Sequence, residues 1–348
     1  MQTISSLFTS LLRRQMNVPR RLPKLPIAAA VIFVALSGQA TLAEPPQTIK
    51  LVVPLPPGGA GDILARQLAE QIGRMHGPGM IIENRPGAGS IIGSDVVAHA
   101  APDGGTLLIN APYLLIGPQV RKLDYNPLTS FEPICYLVSS PGIIVVNSSS
   151  PYRTLADLLN AARAQPGKLT LASVGPATAQ HIGFARLKRA AGVNMTYVPY
   201  GGGAPAINAL LGGHLTAVFA EYAPLANHIK AGTLRALATS SRTRITQLPD
   251  LPTVAESGYN DYEVDLWWSV FTPAKTPKET VSKLVEWFTA ALQAPEVKTK
   301  LIAQGFSPVG MCGADFAALL RKQYFAALLR KQYEDYGRVI READIKAE

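Results

Sequence analysis

The chain has 348 residues, of which 33 are Lys or Arg and 24 are Asp or Glu, for a formal net charge of +9. No aromatic-interleaved basic stripe runs through it, which excludes a nucleic-acid surface. Its 2 cysteines and 5 histidines are dispersed, with no HExxH, no GxSxG and no closely spaced metal-ligating set, so neither a metal, a cofactor nor a catalytic constellation is indicated.

At the N-terminus, Arg13, Arg14, Arg20, Arg21 and Lys24 precede the apolar run IAAAVIFVALSG, which ends in the small-residue stretch QATLAEPP. The pattern predicts a secretory leader over residues 1–43, with cleavage after Ala43 or Ala40. A transmembrane anchor needs about 20 apolar residues, and this run is nearer half that. Losing the leader removes five unopposed cations, +9 minus 5, leaving about +4 on an exported chain. In an oxidising compartment Cys135 and Cys312 predict one disulfide, the alternative being two buried free thiols.

After the leader, β-rich runs alternate with helical patterns. IKLVVP leads into a helix with Ile63, Leu64, Leu68, Ile72 and Met75 on one face; GMIIEN leads through RPGAGS to a helix near residues 91–100; DGGTLLIN gives a third strand. This order predicts parallel strands joined by right-handed crossovers. GIIVVN is a further strand, and SPYRTLADLLNAARAQPG reads as a helix capped by Thr154 and ended by Gly167. KLTLAS, MTYVPY and LTAVFAE, each followed by a loop and a helix, and a closing LRALATS complete a second α/β lobe over 146–245. The rest returns to the first lobe, which comprises 44–145 and 246–348. Two chain crossings make a hinge.

Glycine-rich loops fall at the carboxyl ends of strands in both lobes, where open α/β sheets collect ligands. They predict a cleft whose anion donors are backbone amides, since the loops hold few cations. Arg85 is the nearest of these, and pairing with Glu83 is its plain structural role. VVPLPPGGAGD lacks both the Lys-Ser/Thr of a P-loop and the GxGxxG of a dinucleotide site, so its anion is not a nucleotide phosphate. Asp62, in the first helical turn, reads as a loop and dipole partner rather than a catalyst. His181 reads as a structural residue at a helix start. Trp267 and Trp268, adjacent on a strand, point to opposite faces. Asn110, Tyr200 and Glu221 stand at strand ends facing the predicted cleft.

VVPLPPGGAGD, IIENRPGAGSIIG, VPYGGGAPAINALLGG, LRALATSSRTR, LPTVAESGY and WWSVFTPAKTP occur in that order and resemble the substrate-binding receptors of tripartite tricarboxylate transporters, the TctC or Bordetella uptake gene (Bug) family. The resemblance covers nearly the whole chain after the leader. It implies a periplasmic, monomeric, two-lobed binding protein of the type II-like Venus-flytrap fold, not an enzyme. Such a receptor takes a small carboxylate between its lobes and delivers it to the membrane subunits of a transporter; a receptor feeding a sensor kinase and an exported enzyme are the alternative readings. Carried over residue by residue, the family's ligand loops match 55–62, 176–180 and 200–205. They imply a site of Leu55, Gly58, Gly59, Ala60, Asp62, Thr178, Ala179, Tyr200, Gly202, Gly203 and Ala204, with Asn110 and Glu221 beside them. Gly58 and Gly59 would cradle the carboxylate. Leu55 stands where the family often has an aromatic residue, and Ala60-Gly61 where it usually has Gly-Thr.

Residues 316–324, FAALLRKQY, recur at once as 325–333. Nine residues add about 13 Å to a helix and turn it through a net half turn, so the two copies aim the same side chains at opposite faces.

Overall fold

The computed structural model describes residues 48–110, 112–264, 266–321 and 334–345. The predicted leader and the second copy of the duplication lie outside the described residues. Among the described residues no helix is long and apolar enough to cross a membrane.

Two sheets organise the chain. The first has the order β11-β4-β10-β3-β1-β2, and the second β7-β6-β8-β5-β9. In the first, β1 (Thr48–Val53) lies parallel to β2 (Gly79–Asn84) and β3 (Thr106–Asn110), as the alternation predicts. Helix α1 (Ala60–Arg74) crosses between β1 and β2, burying Leu64, Leu68 and Ile72, spaced four apart on one face. After the 3-10 turn Ala88–Ser90, α2 (Ile91–Ala98) crosses to β3, and α3 (Tyr113–Val120) follows it.

The far half of this sheet is antiparallel, which local pattern does not announce. β4 (Phe131–Ser140), interrupted in sequence by Pro133, pairs antiparallel with both β10 (Leu266–Pro273) and β11 (Ser307–Cys312). Cys135 on β4 stands directly opposite Cys312 on β11, and the two form a disulfide. The bond closes a 177-residue separation that includes the whole second sheet. Replacing both cysteines by Ala is expected to lower unfolding free energy by about 2–4 kcal/mol. An unchanged urea midpoint would show that strand pairing alone holds this edge.

In the second sheet β6 (Thr170–Ser173), β7 (Thr196–Val198) and β8 (Ala217–Glu221) are parallel, and β5 (Gly142–Asn147) pairs antiparallel with both β8 and β9 (Leu234–Thr239). Its helices are α4 (Leu155–Ala164), α5 (Ala179–Ala191), α6 (Gly203–Leu211) and α7 (Tyr222–Lys230). Thr154 caps α4 as the sequence predicts: its hydroxyl accepts from the Asp157 amide while Asp157 accepts from the Thr154 amide.

The chain passes between sheets at Pro141, since β5 already belongs to the second sheet at Gly142, four residues before the expected boundary at 146. The return falls later than 246. Thr253 still bridges to Thr239, and the Val264 amide still donates to Ser240, before β10 opens at Leu266. The two crossings lie side by side, with Leu266 opposite Ser140 and Gly142 opposite Glu221. Helices α8 (Lys278–Gln293), α9 (Pro295–Ala303) and α10 (Gly313–Arg321) complete the first lobe.

Candidate ligand cleft

The loop between β1 and α1 is held in shape by one carboxylate. Asp62 accepts from the Gly58 amide at 3.0 Å, from Arg66 Nε at 3.0 Å and Nη2 at 2.9 Å, and from Asn84 Nδ2 at 3.1 Å. Asn84 also donates to the Leu55 carbonyl at 3.0 Å, tying both ends of the loop to the end of β2. Burial pushes the Asp62 carboxyl up, but the bonds from Arg66, Gly58 and Asn84 outweigh it and hold it below its usual range.

This corrects the expectation for Gly58. With φ +80° it makes the turn, but its amide is spent on Asp62 inside the loop and does not point outward for an anion. The amides left for one are those of the first turn of α1, at Gly59, Ala60 and Gly61, which helix geometry leaves without intrahelical acceptors. Gly61 lies flat on the Trp268 indole, where a Cβ would overlap the six-membered ring.

In the second lobe, Thr178 is the cap of α5. Its hydroxyl donates to the Gly175 carbonyl at 2.8 Å and accepts from the His181 amide at 3.3 Å, so Thr178 shapes the loop with its side chain. His181 is structural, as expected. It stacks on Tyr197 at 3.7 Å between ring centroids, and burial, with nearby Lys188, lowers its pKa to about 4, so its ring is neutral at physiological pH. Ala179, Gly202 and Gly203 are buried at the starts of α5 and α6, and Ala204 and Tyr200 are half-buried beside them.

The two sets of loops meet. A Cβ on Gly58 would lie 3.7 Å from Ala204 Cβ, one on Gly202 2.6 Å from Pro56 Cγ, and one on Gly89 3.2 Å from the Pro176 carbonyl. Backbone strain gathers at these contacts: Ala88 (φ 48°), Ser90 (φ 79°) and Ala177 (φ 51°) are left-handed although none is glycine.

Behind the loops, Glu221 is turned inward, into a buried network. It is buried, accepts from Trp268 Nε1 at 2.8 Å, and has Tyr113 Oη and Gln180 Nε2 each at 3.5 Å from Oε1. Gln180 Nε2 in turn donates to Tyr113 Oη at 3.1 Å. Tyr113 and Trp268 come from the first lobe, Gln180 and Glu221 from the second, so this network spans the base of the cleft. Trp267 faces the other way, into the cluster with Tyr136 and Phe271, as the strand alternation predicts. Asn110 donates to Ser94 Oγ at 2.9 Å, and Ser94 donates to the Ser90 carbonyl at 2.9 Å. Arg85 is exposed and paired with Glu83. Pro56 and Gln180 lie in loops that the resemblance matches to the ligand site, and Ser90 in a glycine-rich loop at a strand end, but none of the three was singled out. Tyr113 and Asn84 were not legible as site residues, and only the position of Asn84 at a strand end offered a sign.

Comparison with known proteins gives a consistent answer. The family model for the tripartite tricarboxylate transporter family receptor, TctC, matches residues 64–334. A UPF0065 protein encoded between tcbD and tcbE in Pseudomonas sp. (strain P51) is 36% identical over 88% of this chain and 92% of its own length. BugT of Bordetella pertussis is 33% identical over 81% and 89%. Among solved structures, the periplasmic binding protein BugD superposes with a TM-score of 0.79 at 33% identity, covering 86% of this chain and 99% of BugD. Rpa4515 of R. palustris with adipate gives 0.78 at 29% identity, over 86% and 98%. MatC from Rhodopseudomonas palustris with bound malate gives 0.74 at 26% identity, over 84% and 98%.

Proposed function

We infer, because this chain belongs to the tripartite tricarboxylate transporter receptor family, that it is an exported receptor that captures a small carboxylate between its lobes and hands it, as a monomer, to transporter membrane subunits. One observation carries the reading. Loops at the carboxyl ends of parallel strands in two separate sheets converge, through Pro56 on Gly202 and Gly58 on Ala204, with helix-start amides as their main polar groups. Hydrogen bonds to a charged group contribute about 1.5–3 kcal/mol each, so four or five approach the roughly 8 kcal/mol of micromolar binding before association costs. The predicted leader supports export to the periplasm. The similar solved structures with adipate and with bound malate support the ligand class.

A thermal-shift screen of mono-, di- and tricarboxylates and acidic amino acids tests the reading. A ligand at a hundred times its Kd is expected to add about 2.7 kcal/mol to stability, without being consumed. Turnover of a stabilising compound, or no stabilisation by any carboxylate, defeats it.

A further inference from the structure

Ser90 is anomalous on three counts. It precedes α2 at the position where a serine hydroxyl ordinarily accepts from a first-turn amide, yet its side chain makes no capping bond. It holds a left-handed backbone (φ 79°) that glycine would adopt without strain. Its hydroxyl is buried, with the residue only 1% exposed, and has no partner among the described residues. A buried hydroxyl left unpaired in a strained backbone calls for an explanation.

Its surroundings supply one. The preceding Gly89 faces the Pro176 and Ala177 carbonyls of the second lobe, and Gly93, one turn along α2, packs on Pro54 of the β1–α1 loop. Ser90 therefore sits where the first-lobe loops meet the second lobe. Its carbonyl is fixed by Ser94, which is itself fixed by Asn110. Helices α1 and α2 begin at the carboxyl ends of the neighbouring strands β1 and β2, so the first lobe presents two helix starts side by side. The second of them carries the unpaired hydroxyl.

We propose that Ser90 is a specificity-determining contact: its hydroxyl and the first-turn amides of α2 receive the second carboxylate of a dicarboxylate whose first carboxylate lies at the start of α1. The proposal rests on the carboxylate-receptor reading and narrows it to diacids over monoacids of the same length.

The test pairs adipate with hexanoate and succinate with butyrate, each pair differing only in the second carboxylate, with binding measured by calorimetry on the wild-type chain, Ser90→Gly and Ser90→Ala. The wild type is expected to favour each diacid. Both variants are expected to shrink the diacid-to-monoacid preference about tenfold or more, equal to about 1.4 kcal/mol. Ser90→Gly relieves the left-handed strain and is expected to melt at or above the wild-type temperature, so a loss of discrimination there is not a loss of fold. Equal affinity of the wild type for diacid and monoacid overturns the proposal, as does an unchanged preference in Ser90→Gly. If none of these acids binds, this proposal falls and the receptor reading is decided by the wider carboxylate screen; if monoacids alone bind, the receptor reading stands and this one falls.

Discussion

Gly202→Ala is expected to weaken carboxylate binding by about tenfold or more while leaving the ligand-free protein's stability within about 0.5 kcal/mol. The backbone at Gly202 is extended (φ 163°), so an alanine there carries no conformational penalty. What it meets is the opposite lobe: its Cβ would sit 2.6 Å from Pro56 Cγ and 2.8 Å from Pro56 Cδ. A proline ring has no rotamer by which to withdraw, and its loop is pinned at Leu55 by Asn84 and at Gly58 by Asp62. The overlap is relieved by parting the lobes. Overpacking of this kind costs about 1–3 kcal/mol, and a ligand that binds the closed arrangement loses that amount from its affinity. Gly201→Ala is the matched control, because a Cβ at Gly201 has nothing within 4 Å. Calorimetry on both variants, with small-angle scattering to follow lobe separation, decides the matter. Equal affinities for the two variants would show that Pro56 and Gly202 do not meet in the bound state.

That contact marks the limit of what the sequence discloses. The crossover helices were legible because Leu64, Leu68 and Ile72 repeat at helical spacing and bury one face. The Thr154 cap was legible because its chemistry is complete within four residues. Cys135 and Cys312 could be paired because no other cysteine competes. The antiparallel half of the first sheet was hidden, since β4 meets β10 and β11 only after the chain has built the entire second sheet. Within the site, the first loop reads as an anion cradle, but the pattern of glycines cannot tell an amide aimed at a ligand from one spent on Asp62. That depends on where a side chain four residues away turns, and on Asn84 reaching in from another strand. Glu221 was placed correctly at a strand end, but its partners within the protein were not legible. Its neighbours Tyr113, Gln180 and Trp268 are 108, 41 and 47 residues distant in the chain and share no motif.

Glu221 and Asp62 are both buried carboxylates of the cleft, and they are expected to respond to pH with opposite sign. Asp62, held low by Arg66, Gly58 and Asn84, contributes stability that is present above its unfolded pKa and lost as pH falls through the folded one. At Glu221 burial dominates, and the bonds from Trp268, Tyr113 and Gln180 only partly offset it, so the carboxyl stays above its ordinary value of 4.5. The folded protein then binds the proton more tightly than the unfolded chain. The stability linked to Glu221 is therefore full below pH 4.5 and declines as pH rises through the folded pKa. Glu221→Gln keeps an oxygen for Trp268 Nε1 and removes the charge. Relative to the wild type it is expected to gain stability as pH rises from about 5 to 8, a trend that denaturant unfolding at several pH values will read. Glu221→Ala is expected to behave differently. It leaves the indole N–H, the Tyr113 hydroxyl and the Gln180 amide without their shared acceptor across the lobe boundary, at a cost of about 2–4 kcal/mol at any pH in that range. A Glu221→Gln difference that is flat with pH would mean that the carboxyl titrates alike in folded and unfolded chains. A mild Glu221→Ala would mean that water enters the base of the cleft and replaces the carboxylate, so that the network is not what joins the lobes there.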